Sequence, residues 1–184
     1  QSTVLGILPA TDNDHHRNDY RPNPNPSVTL LGDAQWAWLE EELQREADLR
    51  IIATSTQFGI SYNGYEAWAN FPSEQQRLID LIRKHRTNGV VFISGDVHYG
   101  ELSKLDLDDL YPLYDVTSSG ITQTWPHVEP NTNRWGATEK SNNFGWLEVN
   151  WDAAPTTLTL GIYTVNGEAS VLNQIPLSTL QFDE

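Results

Sequence analysis

The 184-residue sequence is 38% hydrophobic, enough to bury a core, and its 25 Asp and Glu against 11 Lys and Arg give a formal net charge of -14. Nucleic acids and anionic membranes are bound through Lys and Arg, so this balance argues against both kinds of partner. The absence of Cys excludes thiolate metal sites, disulfides and Cys nucleophiles. No apolar run approaches the roughly 20 residues of a membrane span.

The first half of the chain alternates between strand and helix patterns. Apolar runs predict strands at residues 3–8, from Leu49, and at 90–94. Between them, Asp33 is the expected N-cap of a helix that ends near Ala47. Ser73 is the expected N-cap of a second helix, with Gln76 completing a capping box. This alternation of strand and helix predicts a sheet that is at least partly parallel.

The pattern changes after Leu110. The sequence "YPLYDVTSSGI" predicts a strand that runs into a glycine turn, and residues 125–143 read as irregular. Three segments with alternating apolar and polar residues follow, the last two separated by Asn166-Gly167. They predict an antiparallel meander. With no repeat and no clear linker, residues 1–184 are expected to form a single unit.

The third strand pattern runs into a Gly-Asp-x-His sequence. In "VVFISGDVHYGEL", Asp96 and His98 follow directly after the apolar run and Gly95. Ligands of open α/β sheets bind beyond the carboxyl ends of the strands. If the chain stays extended through Val97, the two side chains point the same way and supply one oxygen and one nitrogen ligand to a metal. The alternative is an ordinary turn followed by a loop histidine.

Three further side chains are candidates for binding a substrate. Arg17 is one of few basic residues and could meet a substrate anion, whereas the loop around it, "DNDHHR", is otherwise expected to be solvated. Trp125 and His127 could line the mouth of a pocket, although a histidine beside a proline is more often a plain surface residue.

Other polar segments have a functional and a structural interpretation. Glu66 and Trp68 lie in a long loop, where Glu66 could act in a site or be solvated and Trp68 could pack over the sheet. The hydroxyls of "TSSG", Thr117 to Gly120, could bind an anion or belong to a plain turn. The run "DLDD" at 106–109 lacks calcium-loop spacing and is expected to be a solvated acidic face.

Four blocks of the sequence together resemble a known family. In chain order they are "LLGDAQWAWLEEEL", "EAWANFPSEQQRLIDLI", "VVFISGDVHYGEL" and "YPLYDVTSSGITQTWP". They resemble the C-terminal half of the PhoD-like alkaline phosphatase/phosphodiesterase family, within the metallophosphoesterase (calcineurin-like) superfamily. The resemblance covers roughly residues 29–151, and the set of four is far more specific than any one block.

The resemblance implies a four-layer α/β-β/α sandwich with a mixed sheet and a two-metal centre that hydrolyses phosphate monoesters or diesters. Asp96 and His98 stand where the superfamily carries Gly-His-x-His, so both are expected as metal ligands and catalytic residues. No histidine occupies the region of the superfamily's His-x-Pro block, at Ser55, Thr56 and Gln57. An oxygen-richer site favours harder ions such as Ca²⁺, Mg²⁺, Mn²⁺ or Fe³⁺ over zinc. The resemblance itself implies Ca²⁺ and Fe³⁺ in the first place, with Mn²⁺, Mg²⁺ or Zn²⁺ as alternatives.

The chain also departs from the family pattern. The earlier ligand blocks, with their Asp-x-His, Gly-Asp and Asn-His elements, are not recognisable, Asp14 stands where Arg is expected, and Gln123 where relatives carry His. The chain lacks Met and opens on a strand pattern, which suggests a processed or truncated chain. A second polypeptide or an N-terminal segment is therefore expected to supply the remaining ligands. The resemblance and the absence of Cys imply a secreted or periplasmic protein.

Two other functions remain open at this point. The missing ligand blocks are also compatible with a non-catalytic binding or structural module that keeps the scaffold without activity. The acidic composition would also suit a plain calcium-binding domain.

Overall fold

The computed structural model describes residues 3–6, 21–61 and 64–183. These residues form two α-helices, eight strands and two short 3-10 turns, at Trp68–Asn70 and Leu177–Leu180. The helices and strands, in chain order, are β1 (Thr3–Gly6), α1 (Asp33–Leu43), β2 (Arg50–Ala53), α2 (Pro72–Lys84), β3 (Val90–Ser94), β4 (Gly100–Leu107), β5 (Leu110–Ser118), β6 (Asn143–Asn150), β7 (Thr157–Thr164) and β8 (Ala169–Pro176).

The larger sheet has five strands in the order β1-β2-β3-β5-β4. The first four of these run parallel, and β4 pairs antiparallel with β5 at the edge. The predicted mixed sheet is therefore confirmed. β4 was not predicted from the sequence, and it adds an antiparallel hairpin to the parallel core.

The smaller sheet is the predicted antiparallel meander, β6-β7-β8. Gly167, at φ 83°, lies in the turn between β7 and β8, a conformation that glycine adopts without strain. This sheet packs against β4 and β5 of the larger sheet. A Cβ added to Gly145 of β6 would lie 3.2 Å from Val116, and one added to Gly100 would lie 2.6 Å from Ile162 of β7. The absence of side chains at both glycines lets the two sheets approach this closely.

The opposite face of the larger sheet carries the helices. Phe58 stacks on Phe92 of β3 with ring centroids 3.8 Å apart, and Trp68 contacts Phe58 edge-on at 5.3 Å. Trp36 of α1 continues this aromatic column against Trp68, at 6.4 Å. The Trp68 indole N–H donates to Thr54 Oγ1 at 2.9 Å, so Trp68 packs over the sheet, as its structural interpretation predicted.

Both helix starts differ from their predictions. Gly32, not Asp33, is the N-cap of α1, and that helix ends at Leu43, four residues before Ala47. Pro72 is the first residue of α2, and the helix has no side-chain cap. Ser73 instead donates to the carbonyl oxygen of Pro24, and Gln76 donates to Asp80 further along the helix. The capping-box prediction is wrong, because a proline at the first helical position already fixes the backbone there.

The described residues thus form three layers: helices, a mixed five-stranded sheet and an antiparallel three-stranded sheet. The α/β class and the meander are as predicted. No described helix has the length and apolar character needed to cross a bilayer.

Candidate functional site

The Gly-Asp-x-His sequence forms the loop between β3 and β4, at the carboxyl end of the parallel strands. This is the predicted location. The condition of an extended backbone through Val97 is not met. Asp96 has φ 78° and His98 has φ 59°, both in the left-handed region that costs a non-glycine residue about 1–2 kcal/mol. The sharp turn falls on these two residues rather than on Gly95.

Asp96 is exposed at the surface of this loop, yet its surroundings oppose its charge. Partial desolvation by the surrounding chain is the main cause that raises the pKa of the Asp96 carboxyl, and the Glu66 carboxylate adds to it. His98 has the opposite effect and lowers the pKa of Asp96. Glu66, Asp96 and His98 therefore lie close enough to interact electrostatically, in spite of the bent backbone.

His98 is half-buried, and its backbone is held from two directions. Its N–H donates to Ser119 Oγ at 2.7 Å, and its carbonyl oxygen accepts from the Trp125 N–H at 2.9 Å. The Nδ1 atom of its ring is buried and has no hydrogen-bond partner among the described residues. An imidazole nitrogen left in this state is a donor atom suited to a metal or a polar ligand.

Trp125 lies beside His98, as a residue at the mouth of a site would. The two rings are 6.2 Å apart between centroids, and Trp125 is 48% exposed. His127 is also exposed, but its Nε2 lies 3.0 Å from the Glu129 carboxylate. Arg17 lies outside the described residues. The structure therefore brings Asp96, His98 and Trp125 together.

Glu66 is the loop residue for which the sequence left both a role in a site and simple solvation open. It is half-buried, and its carboxylate raises the pKa of Asp96. The block "EAWANFP" contained the signal, because the buried Trp68 two residues later fixes this part of the loop against the sheet.

A buried polar cluster supports the loops beneath the site. Asp115 of β5 is buried; it accepts from the backbone N–H groups of Phe58 and Gly59 at 2.8 and 2.9 Å, and from the Ser94 hydroxyl at 2.7 Å. Asp115 thereby ties the loop after β2 to the end of β3, two residues before Asp96. The pKa of Asp115 is raised, with burial as the first cause.

The hydroxyls of "TSSG" are also used within the protein. Thr117 Oγ1 accepts from Gln57, the Ser118 hydroxyl donates to Asn143, and Ser119 accepts from His98. Asp106, Asp108 and Asp109 of "DLDD" are exposed, as expected of a solvated face.

The residues of this site fit one part of a metal centre. Asp96 offers carboxylate oxygens, His98 offers a buried nitrogen without a partner among the described residues, and Glu66 lies near Asp96. Within the part of the chain that the structure describes, however, no three His, Cys, Asp or Glu side chains converge on one point. An ion held here would need ligands from elsewhere.

Comparison with known proteins identifies the family of the chain. Alkaline phosphatase D of Bacillus subtilis (strain 168) is 30% identical over 119 residues, which is 60% of this chain and 20% of that protein. A solved structure described as "Structure of PhoD" matches the fold with a TM-score of 0.52 and 19% identity, covering 84% of this chain and 38% of that one. The chain thus spans well under half of either protein. The family model for PhoD-like phosphatase matches residues 9–151, so the chain belongs to the PhoD-like phosphatase family.

Proposed function

We propose that this chain is part of a metal-dependent hydrolase of phosphate esters, acting on monoesters or diesters at alkaline pH. The observation that carries the proposal is the proximity of Asp96 and His98 at the carboxyl edge of a parallel sheet, with a buried imidazole nitrogen that has no partner among the described residues. Membership of the PhoD-like phosphatase family supports the same class of reaction.

Asp96 and His98 are the proposed metal ligands, with Glu66 as a further candidate. The centre would hold two or more ions, Ca²⁺ and Fe³⁺ in the first place, with Mn²⁺, Mg²⁺ or Zn²⁺ as alternatives. Bound metal would polarise the phosphoryl oxygens and lower the pKa of a bound water. The chain's own part is to orient the carboxylate and the imidazole. Trp125 is proposed to cover the organic part of the substrate, with His127 and Arg17 as further binding residues.

A complement from the same longer protein, or a second polypeptide, is proposed to supply the other ligands. An open cleft between β2–β3 and β6 supports the proposal of a complement. The cleft is lined by Ala53, Ile93, Ile121, Phe144 and Leu147. As far as the described residues go, β6 has no neighbouring strand on that side. A complement that adds strands beside β6 would close the cleft and form the remainder of a four-layer sandwich. We also propose a secreted or periplasmic location.

The test is an assay of p-nitrophenyl phosphate and bis(p-nitrophenyl) phosphate hydrolysis, with this chain alone and with its complement. We expect activity only in the assembly, and its loss on chelation. Asp96→Asn and His98→Ala should each lower kcat/KM by at least about 100-fold, since even partners that only orient a ligand are worth 10–100-fold. The matched control is Asp108→Asn, an exposed acid in the β4–β5 turn at the other end of the sheet.

Activity that survives chelation, or that Asp96→Asn leaves intact, would refute the metal site. Full metal-dependent activity of this chain alone would refute the need for a complement.

A non-catalytic binding module is the second candidate. It is favoured by the lack of three converging ligand side chains in the described part of the chain, and by the exposed Gln123, at a position where the family resemblance leads us to expect His. This candidate predicts no bound metal and no hydrolysis in the assembly. Elemental analysis that finds stoichiometric Ca, Fe, Mn or Zn would count against it.

A further inference from the structure

The loop that carries Asp96 and His98 has a backbone conformation that needs support from neighbouring residues. It contains two non-glycine residues in left-handed conformations, at φ 78° and 59°. Each of these costs of order 1–2 kcal/mol and persists only where the surroundings fix it. A neighbouring residue must therefore hold this loop in its observed conformation.

Sheet order places the end of β5 directly beneath the loop. β5 lies between β3 and β4 in the sheet, so the chain that connects β3 to β4 must cross the carboxyl end of β5. Ser119 is the first residue after β5. Its position under the loop follows from this topology.

Ser119 contacts the loop along most of its length. Its Oγ accepts from the His98 N–H at 2.7 Å, and its own N–H donates to the Tyr99 carbonyl at 3.3 Å. At the start of the loop, a Cβ placed on Gly95 would lie 3.5 Å from the Ser119 Cβ, so the two backbones lie against each other. Through its side chain and its backbone, Ser119 therefore contacts the loop at Gly95, His98 and Tyr99.

From these contacts we infer that Ser119 is a positioning residue for the candidate metal site. It acts through the backbone of His98: the accepted N–H holds His98 in its left-handed conformation, which directs the imidazole toward Asp96. Ser119 does not itself touch a metal or a substrate in this scheme. The predicted effect of Ser119 on metal binding rests on the proposed function, whereas its predicted effect on the loop conformation does not.

Ser118→Ala is a matched control for Ser119→Ala. The neighbouring Ser118 is also half-buried and also makes a side-chain hydrogen bond, but its bond goes to Asn143, at 3.0 Å, and not to the loop. Both variants remove one hydroxyl and one side-chain hydrogen bond from adjacent residues at the end of β5. An effect that only Ser119→Ala shows therefore reports on the loop rather than on general stability.

The first experiment is amide hydrogen exchange on the metal-free protein. In Ser119→Ala, the amide proton of His98 should exchange at least about 10-fold faster, because this N–H has lost its acceptor. In Ser118→Ala it should exchange at the wild-type rate. Equal exchange of the His98 amide in wild type and Ser119→Ala would overturn the inference, whatever the protein's activity.

The second experiment is titration of the active assembly with Ca²⁺ and with Mn²⁺. Ser119→Ala should weaken metal binding by about 10–100-fold, the range for residues that orient a ligand, and part of the lost kcat should return at saturating metal. Ser118→Ala should bind within twofold of wild type. Unchanged affinity in Ser119→Ala, with the wild type binding metal, would refute the positioning role. A wild type that binds no metal would instead refute the proposed function.

Discussion

Glu74, in the first turn of α2, is a buried carboxylate whose charge is well compensated. Its Oε2 accepts from the Thr29 hydroxyl, the backbone N–H groups of Leu30 and Leu31, and the Trp36 indole N–H, at 2.7 to 3.3 Å. It also lies at the amino end of a helix, where the backbone dipole favours negative charge. A single side chain thus connects α2 to the segment that precedes α1 and to α1 itself.

Replacing Glu74 should therefore cost much more stability than replacing an exposed glutamate. Glu74→Ala should lower the free energy of unfolding by about 3–5 kcal/mol, because several buried donors lose one acceptor at once. Glu41→Ala, at an exposed position of α1, should change the free energy of unfolding by less than about 0.5 kcal/mol. Urea denaturation of both variants measures this, and equal losses would contradict the assigned role.

Asp115 gives a prediction about pH. Burial raises its pKa in the folded protein, with Glu101 as a smaller cause in the same direction, while the N–H groups of Gly59 and Phe58 and the Ser94 hydroxyl act against it. Between the unfolded pKa of about 3.9 and the raised folded pKa, the folded state binds more protons than the unfolded state. The contribution of Asp115 to stability is therefore fully present below about pH 3.9 and is lost as the pH rises through the folded pKa.

The comparison with Asp115→Asn isolates this effect, since an amide has no proton to lose in this range and can still pair with Phe58, Gly59 and Ser94. We expect the free energy of unfolding of the wild type to fall relative to that of Asp115→Asn as the pH is raised from 4 toward neutrality, by about 1.4 kcal/mol per unit of raised pKa. Denaturation at several pH values measures the difference. Parallel curves, or a relative gain by the wild type, would contradict it.

At the scale of elements, β4 is an edge strand covered by an irregular segment. Residues 131–139, the edge segment, run along the free side of β4. Lys104 N–H donates to the Asn133 carbonyl and Trp135 N–H to the Leu102 carbonyl, and Gly100 exchanges two bonds with Glu139. Such cover keeps an edge strand from pairing with other chains.

A buried ion pair fixes the edge segment to β4. Glu101 is 0% exposed, and its Oε2 accepts from Arg134 Nε at 2.7 Å, while Gln57 and Asn131 donate to the other oxygen. Arg134→Ala leaves a buried carboxylate without its cation and should cost about 3–5 kcal/mol of unfolding free energy.

A double-mutant cycle distinguishes loss of the ion pair from loss of packing. Glu101→Gln combined with Arg134→Ala should recover part of the stability that Arg134→Ala loses, because the uncompensated charge is removed. Arg83→Ala, which breaks the exposed pair with Asp80, should cost at most about 1 kcal/mol. Additive losses from Glu101→Gln and Arg134→Ala would show that the two residues are not coupled.

Elements whose pattern depends on their own apolar residues could be predicted from the sequence, and those that depend on distant partners could not. β2, β3 and the meander follow from apolar runs and alternation. β4 was missed because its buried face carries Glu101 and Ser103, which are buried only since Gln57, Asn131 and Arg134 arrive from other segments.

The candidate site could be predicted only in part, for the same reason. The location of Asp96 and His98 at a strand end follows from the apolar run before them. Their left-handed backbone conformation does not follow from that run, because it depends on contacts from Ser119 and Trp125. These two residues lie more than 20 residues further along the chain.

At the scale of the whole molecule, the two sheets overlap only in part. The smaller sheet covers β4 and β5, as the close approaches at Gly100 and Gly145 show, and leaves β2 and β3 open beside β6. Ile121, 67% exposed, lies at this cleft. This cleft is the surface on which the proposed complement would pack.

If the complement fills the cleft, a charge placed there should block assembly while the chain still folds. Ile121→Glu should weaken association with the complement by at least about 10-fold, since a carboxylate would be buried at an apolar contact without a partner. Trp38→Glu is the control, because Trp38 is 36% exposed on α1, on the opposite side of the larger sheet. Both variants should keep the circular dichroism spectrum of the wild type. Association is measured by titration, and equal affinities of Ile121→Glu and the wild type would place the complement elsewhere.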